Sequence, residues 1–194
     1  MKEIPKGWPT GGWDSEVGFL ARAELALTRA GAARAAFDQR WTTDESVGES
    51  KDARLRFFKD FRTEFRLYAD AAVLFSALAV EAVLNFYGVA VLTEEFFTRN
   101  FERMSPDKKL AAVIGVRRGI ALDPSDEIMR VVVQLATLRN QLAHPKTKEI
   151  RDDLQVKRTH ERLKDAETAV ELARRFRDLL IQLDPDAQYI AASA

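Results

Sequence analysis

Apolar positions in this chain recur at spacings of three and four, and strand-like alternation is nearly absent, so the pattern predicts an all-α protein. Residues 1–13 read as an N-terminal arm, with two Pro and three Gly in the first twelve positions. Asp14 or Ser15 is placed to cap a first helix running to about Arg40, with a stripe of Leu20, Ala23, Leu27, Ala30 and Phe37 and with Arg34 at its edge. The segment 42–50 is polar and acidic and reads as a loop.

A long helix is predicted from about Asp52. Phe58, Phe61, Phe65, Tyr68, Ala72, Phe75, Ala79, Ala82 and Phe86 alternate by three and four, a seam about 42 Å long. Up to Tyr68 the opposite face is charged; beyond it the helix is apolar nearly all round and should be the central, most buried element. Gly88 is expected to loosen its end, and Thr93-Glu94-Glu95-Phe96 resembles a short helix start. Ser105-Pro106-Asp107 has the residue types of a helix N-terminus, with the helix running to about Arg118. Pro124-Ser125-Asp126-Glu127 is expected to open another, with Ile128, Val131, Val132, Leu135, Leu138 and Leu142 inward; it should stop by His144, since Pro145 follows. A last helix is predicted from about Thr159 to Leu183. The expectation is a single-domain, up-and-down bundle of about five helices over 14–194, with its core over about 52–183.

Composition narrows the chemistry. Among 194 residues there is no Cys and only two His, which removes disulfide and thiolate chemistry and leaves a zinc cage short of ligands. The 30 basic residues balance 30 acidic ones, so the protein is not coated in positive charge. The N-terminus lacks a signal-peptide apolar core, and the most apolar stretch, 70–90, is interrupted by Ser76, Glu81 and Asn85; a soluble, cytoplasmic protein away from membranes is expected. Phosphate-loop, dinucleotide, zincin, nucleophile-elbow and EF-hand signatures are missing.

One segment stands apart: Leu138-Arg139-Asn140-Gln141-Leu142-Ala143-His144-Pro145. Arg139 falls about 50° from the middle of an apolar stripe, where a charge is uncommon unless paired. His144 sits at the helix break, near the negative end of the helix dipole, and titrates near neutral pH. A fixed cation and a proton shuttle together suit phosphodiester cleavage. On an ideal helix the two lie about 140° apart, so one copy converges poorly on a substrate; two copies, in a homodimer built around the helix 125–143, would serve better.

Arg139-Asn140-x-x-x-His144 resembles the signature of the HEPN superfamily. The resemblance implies a small all-α domain, commonly a homodimeric, metal-independent endoribonuclease of toxin–antitoxin or other defence systems, with no cofactor. It assigns catalysis to Arg139 and His144 and support of the site to Asn140, and it implies RNA as substrate and an antitoxin or other regulatory protein as partner. Glu81 and Asn85, one turn apart in the preceding apolar helix, fit a supporting role in that family. Read from the residues alone, Glu81 is a buried salt-bridge partner for Arg139 or another Arg, and Asn85 satisfies backbone groups at a helix end or kink. Lys108, Lys109, Arg117, Arg118, Lys146 and Lys148 are either solvated faces or phosphate contacts for RNA beside the motif. His160 has no catalytic reading. The alternative function is a non-catalytic helical module binding a partner protein or a nucleotide.

Overall fold

The computed structural model describes residues 18–42, 50–143 and 155–187. All regular elements among them are helical. The first, α1, spans Phe19–Thr42; the candidate caps Asp14 and Ser15 lie outside the described residues. Its inner face is Leu20, Ala23, Ala26 and Ala30. These small side chains let α1 lie close on α2, which spans Lys51–Leu92. Phe37 stacks on Phe61, Arg29 bonds Tyr68, and Phe19 stacks on Phe75, so the two helices run antiparallel.

The Ser50 side chain caps α2 by accepting from the Ala53 N–H at 3.2 Å. At 42 residues this helix is about 63 Å long. The expected seam holds as core only in part. Phe61, Phe65, Ala72 and Ala79 are buried, but Phe58, Tyr68, Phe75, Ala82 and Phe86 are half-buried, and Val73, Val80, Val83, Leu84 and Tyr87 take over the interior. A seam of strict sevens slips about 20° per heptad on a straight helix. The covering neighbours change in the same interval, because α2 leaves a contact mainly with α1 and passes under the later helices.

Gly88 does not loosen α2, which continues to Leu92. A Cβ there would lie 2.2 Å from the ring of Phe97, so glycine admits that ring against the helix backbone. Phe97 belongs to α3, Glu94–Asn100, reached through Thr93 at φ 87° and ψ 149°, a conformation unfavourable for a β-branched residue. The next helix, α4, is Pro106–Arg118 and ends on Gly119 in the left-handed region. Then α5 covers Glu127–Ala143, three residues later than the Pro124 start expected. Asp123 and Asp126 divert the chain there: Asp123 Oδ1 accepts from the Ser125 N–H and hydroxyl, and Asp126 Oδ2 from the Asp123 N–H, closing a turn before the helix. The last helix, α6, spans Gln155–Leu183 and is followed by a 3-10 turn, Pro185–Ala187.

The pairs Asp70–Arg162 and Tyr87–Asp184 show that α6 runs parallel to α2. Arg175 grips Glu127 with two bonds of 2.7 and 2.9 Å, tying α6 to the start of α5. The result is six α-helices among the described residues, one of them the seven-residue α3. The helix α2 contains an 18-residue window of mean hydropathy 1.8, enough by length and composition to cross a membrane, a test that the core helix of a bundle also passes. Averaging absorbs Ser76, Glu81 and Asn85. Half of that window is buried inside the bundle.

Candidate functional site

Glu81 and Asn85 project from α2 toward the start of α4 and the end of α5. The Glu81 carboxylate divides its two oxygens between two cations. Oε2 accepts from an Arg139 guanidinium nitrogen at 3.2 Å, and Oε1 lies 3.9 Å from Lys109 Nζ. Lys109 Nζ also donates to Asn85 Oδ1 at 2.7 Å. Arg139 reaches Asn140 Oδ1 at 3.4 Å, a long contact. Three helices thus meet in one chain of polar groups: Asn85, Lys109, Glu81, Arg139 and Asn140.

The Glu81–Arg139 pairing read from the sequence is present, but not as a buried ion pair. Their side chains are 32% and 33% exposed. A pair that open contributes little to stability, about 1 kcal/mol or less. Asn85 does not satisfy a helix end or kink; it accepts from Lys109. Lys109 lies far from any solvated basic face, 1% exposed and with its ammonium 5.9 Å from the Phe97 ring centroid. Burial lowers its pKa, and the nearby Glu81 and Glu102 carboxylates partly oppose the shift. It is not placed to grip an RNA backbone.

Of the other basic residues singled out, Lys108 is exposed, while Arg117 and Arg118 are half-engaged in a second cluster. Arg117 donates to Asp184 at 3.1 Å and pairs with Asp186 at 2.5 Å; Arg118 lies 3.8 Å from Asp184. Asp184, 1% exposed, also accepts a 2.5 Å bond from the Tyr87 hydroxyl. Burial by itself would raise the Asp184 pKa; the bonds from Tyr87 and Arg117 outweigh it and hold the carboxyl below its usual range. Burial and the Asp184 charge push the Tyr87 phenol well up. This cluster was missed from sequence, although a Tyr on an apolar face and an Asp directly after a helix were its visible signals. His144, Lys146 and Lys148 lie outside the described residues. Among the described residues, no group of three or more His, Asp or Glu is placed to hold a metal ion.

Two surface features adjoin the Glu81 cluster. A shallow crevice is walled by Val80, Pro106, Leu135 and Arg139. On α2, Leu67, Leu74 and Leu78 are 63%, 41% and 39% exposed, and they share with Glu81 and Asn85 a face about 60° wide. The cluster is therefore the polar end of an apolar strip. Comparison of the chain with protein-family models, with curated proteins and with solved structures gives no match.

Proposed function

We propose that this protein is a HEPN-type endoribonuclease that cleaves RNA as a homodimer without needing a metal ion, in the setting of a toxin or defence system in the cytoplasm. The observation that carries the reading is Arg139: a guanidinium held from one side by Glu81, one-third exposed on the other, at the end of α5. Arg139 also lines the crevice, so the open side of the guanidinium faces space where a phosphate could sit. In this reading the 2′-hydroxyl attacks the adjacent phosphorus and the bond to the 5′-oxygen breaks. His144 takes the 2′ proton, and the second protomer's copy of that residue returns one to the departing oxygen. Arg139 holds the phosphate as charge gathers on it, and Asn140 orients the guanidinium. The products are a 2′,3′-cyclic phosphate and a 5′-hydroxyl.

The exposed strip Leu67, Leu74 and Leu78 supports a second copy docking beside the site. The same strip favours the other reading, a non-catalytic module that binds a partner protein. RNA incubated with EDTA separates them. Cleavage that persists in EDTA, falls about 10²–10⁴-fold in His144→Ala and also fails in Arg139→Lys supports the enzyme, because an ammonium cannot present the planar fork to two phosphate oxygens. Intact RNA across varied substrates supports the module. Wild-type cleavage by folded His144→Ala overturns the catalytic role of the histidine.

A further inference from the structure

Lys109 is the only fully buried cation among the described residues, and burying an ammonium is costly. Its three donors face a small set of groups: Asn85 Oδ1 at 2.7 Å, Glu81 Oε1 at 3.9 Å and the face of Phe97. A helix end needs no such residue, and an apolar side chain would fill the space at less expense. What the ammonium does is sit 3.9 Å from one oxygen of a carboxylate whose other oxygen accepts from Arg139, close enough for an ion pair though not for a hydrogen bond. With cations on both oxygens, from different helices, the Glu81 carboxylate is biased toward one orientation, and the guanidinium bonded to it shares that bias.

We infer that Lys109 is a positioning residue for Arg139, acting through Glu81 and kept in place by Asn85. It adds to the proposed ribonuclease reading, on which it rests for its consequence in activity, a group that touches no RNA and yet sets the angle of the phosphate ligand.

The test uses full-length protein carrying ¹⁵N-labelled arginine, with the signal of the Arg139 Nη proton that faces Glu81 identified by its loss in Arg139→Lys. In Lys109→Met, which keeps the stem and removes the charge, exchange of that proton with solvent is expected to be about two- to fivefold faster, the scale of losing one partly exposed ion pair. Glu81→Gln should do the same, and the double variant should be no faster than either single one, since both act on one path. If Lys109→Met does not fold, Lys109→Gln carries the comparison, keeping a donor for Asn85 but no charge for Glu81. An Arg139 signal unchanged in a folded Lys109 variant overturns the inference. Where wild-type protein cleaves RNA, Lys109→Met should lower kcat about tenfold or more with KM little changed, as for a displaced transition-state contact. If wild-type protein cleaves nothing, the ribonuclease reading falls while the exchange measurement still decides the role of Lys109.

Discussion

At the scale of single residues, Gly88 and Gly31 give opposite answers to one substitution. Both lie inside helices, where Gly→Ala ordinarily gains about 0.5–1 kcal/mol. Around Gly31 an added Cβ meets nothing within 4 Å, so Gly31→Ala should show that gain in a urea unfolding curve. At Gly88 the Cβ would enter the Phe97 ring, itself only 2% exposed and hemmed in by the core. Gly88→Ala should therefore lose about 1–3 kcal/mol, the range for overpacking. Equal midpoints for Gly88→Ala and wild type would show that the ring is not seated there.

At the scale of elements, Asp184 joins three helices: it follows α6, accepts from Tyr87 of α2 and pairs with Arg117 of α4. The two shifted groups give this junction a pH signature with definite signs. Asp184 has a depressed folded pKa, so its contribution is present above the ordinary carboxylate value near 4 and is lost as pH falls below it. Tyr87 has a raised one, so the unfolded chain gains by ionising first and stability falls above about pH 10. Lys109 works in the opposite sense on the alkaline side, its lowered folded pKa adding stability as pH rises toward the unfolded value near 10.4. Comparing Tyr87→Phe with wild type cancels that common part. In thermal melts the variant should lose about 2 kcal/mol at neutral pH, for a hydrogen bond to a charged group, and lose the Tyr87 share of the alkaline fall. Asp184→Asn should flatten the acid limb, and an unchanged limb would place the acid sensitivity elsewhere.

Helix existence was legible because threes and fours persisted over long stretches, and α4 starts at Pro106 as the sequence suggested, although the Ser105 side chain at its N-cap makes no capping hydrogen bond. What escaped were features set by neighbours far along the chain. The shift of α2's inner face from Phe75 and Phe86 to Val73 and Tyr87 depends on which helices cover it. Within the site, Glu81, Asn85 and Arg139 could be singled out because a polar residue on an apolar face is conspicuous. Lys109 sits beside Lys108 in a basic-looking run; its spacing of four from Val113 sets it nearer than Lys108 to the apolar face, but only the acceptor on α2 accounts for its burial.

For the whole molecule, net charge is zero, so long-range attraction to RNA is weak and association must draw on local surface. The strip on α2 is the apolar surface next to the site, and the proposed reading needs two copies there. Light scattering at micromolar concentration should give twice the 21.9 kDa chain mass. Leu74→Glu combined with Leu78→Glu should return the monomer with an unchanged helical circular-dichroism spectrum, since both side chains already face outward. A fully active wild-type monomer would rule this arrangement out.

The helix α2 lives in two environments. Its first residues, 51–56, are all exposed, and near that end Phe57, Phe58 and Phe61 meet Phe37 of α1. By Tyr87 it is enclosed by α3, α4 and the end of α6. Covalent continuity thus joins a segment that can open at small cost to one that opens only when the bundle comes apart. Amide protection should climb along this one rod, shallow at Lys51 and approaching the global limit at Leu84, so that breathing at the far tip need never reach the carboxylate on which Arg139 rests.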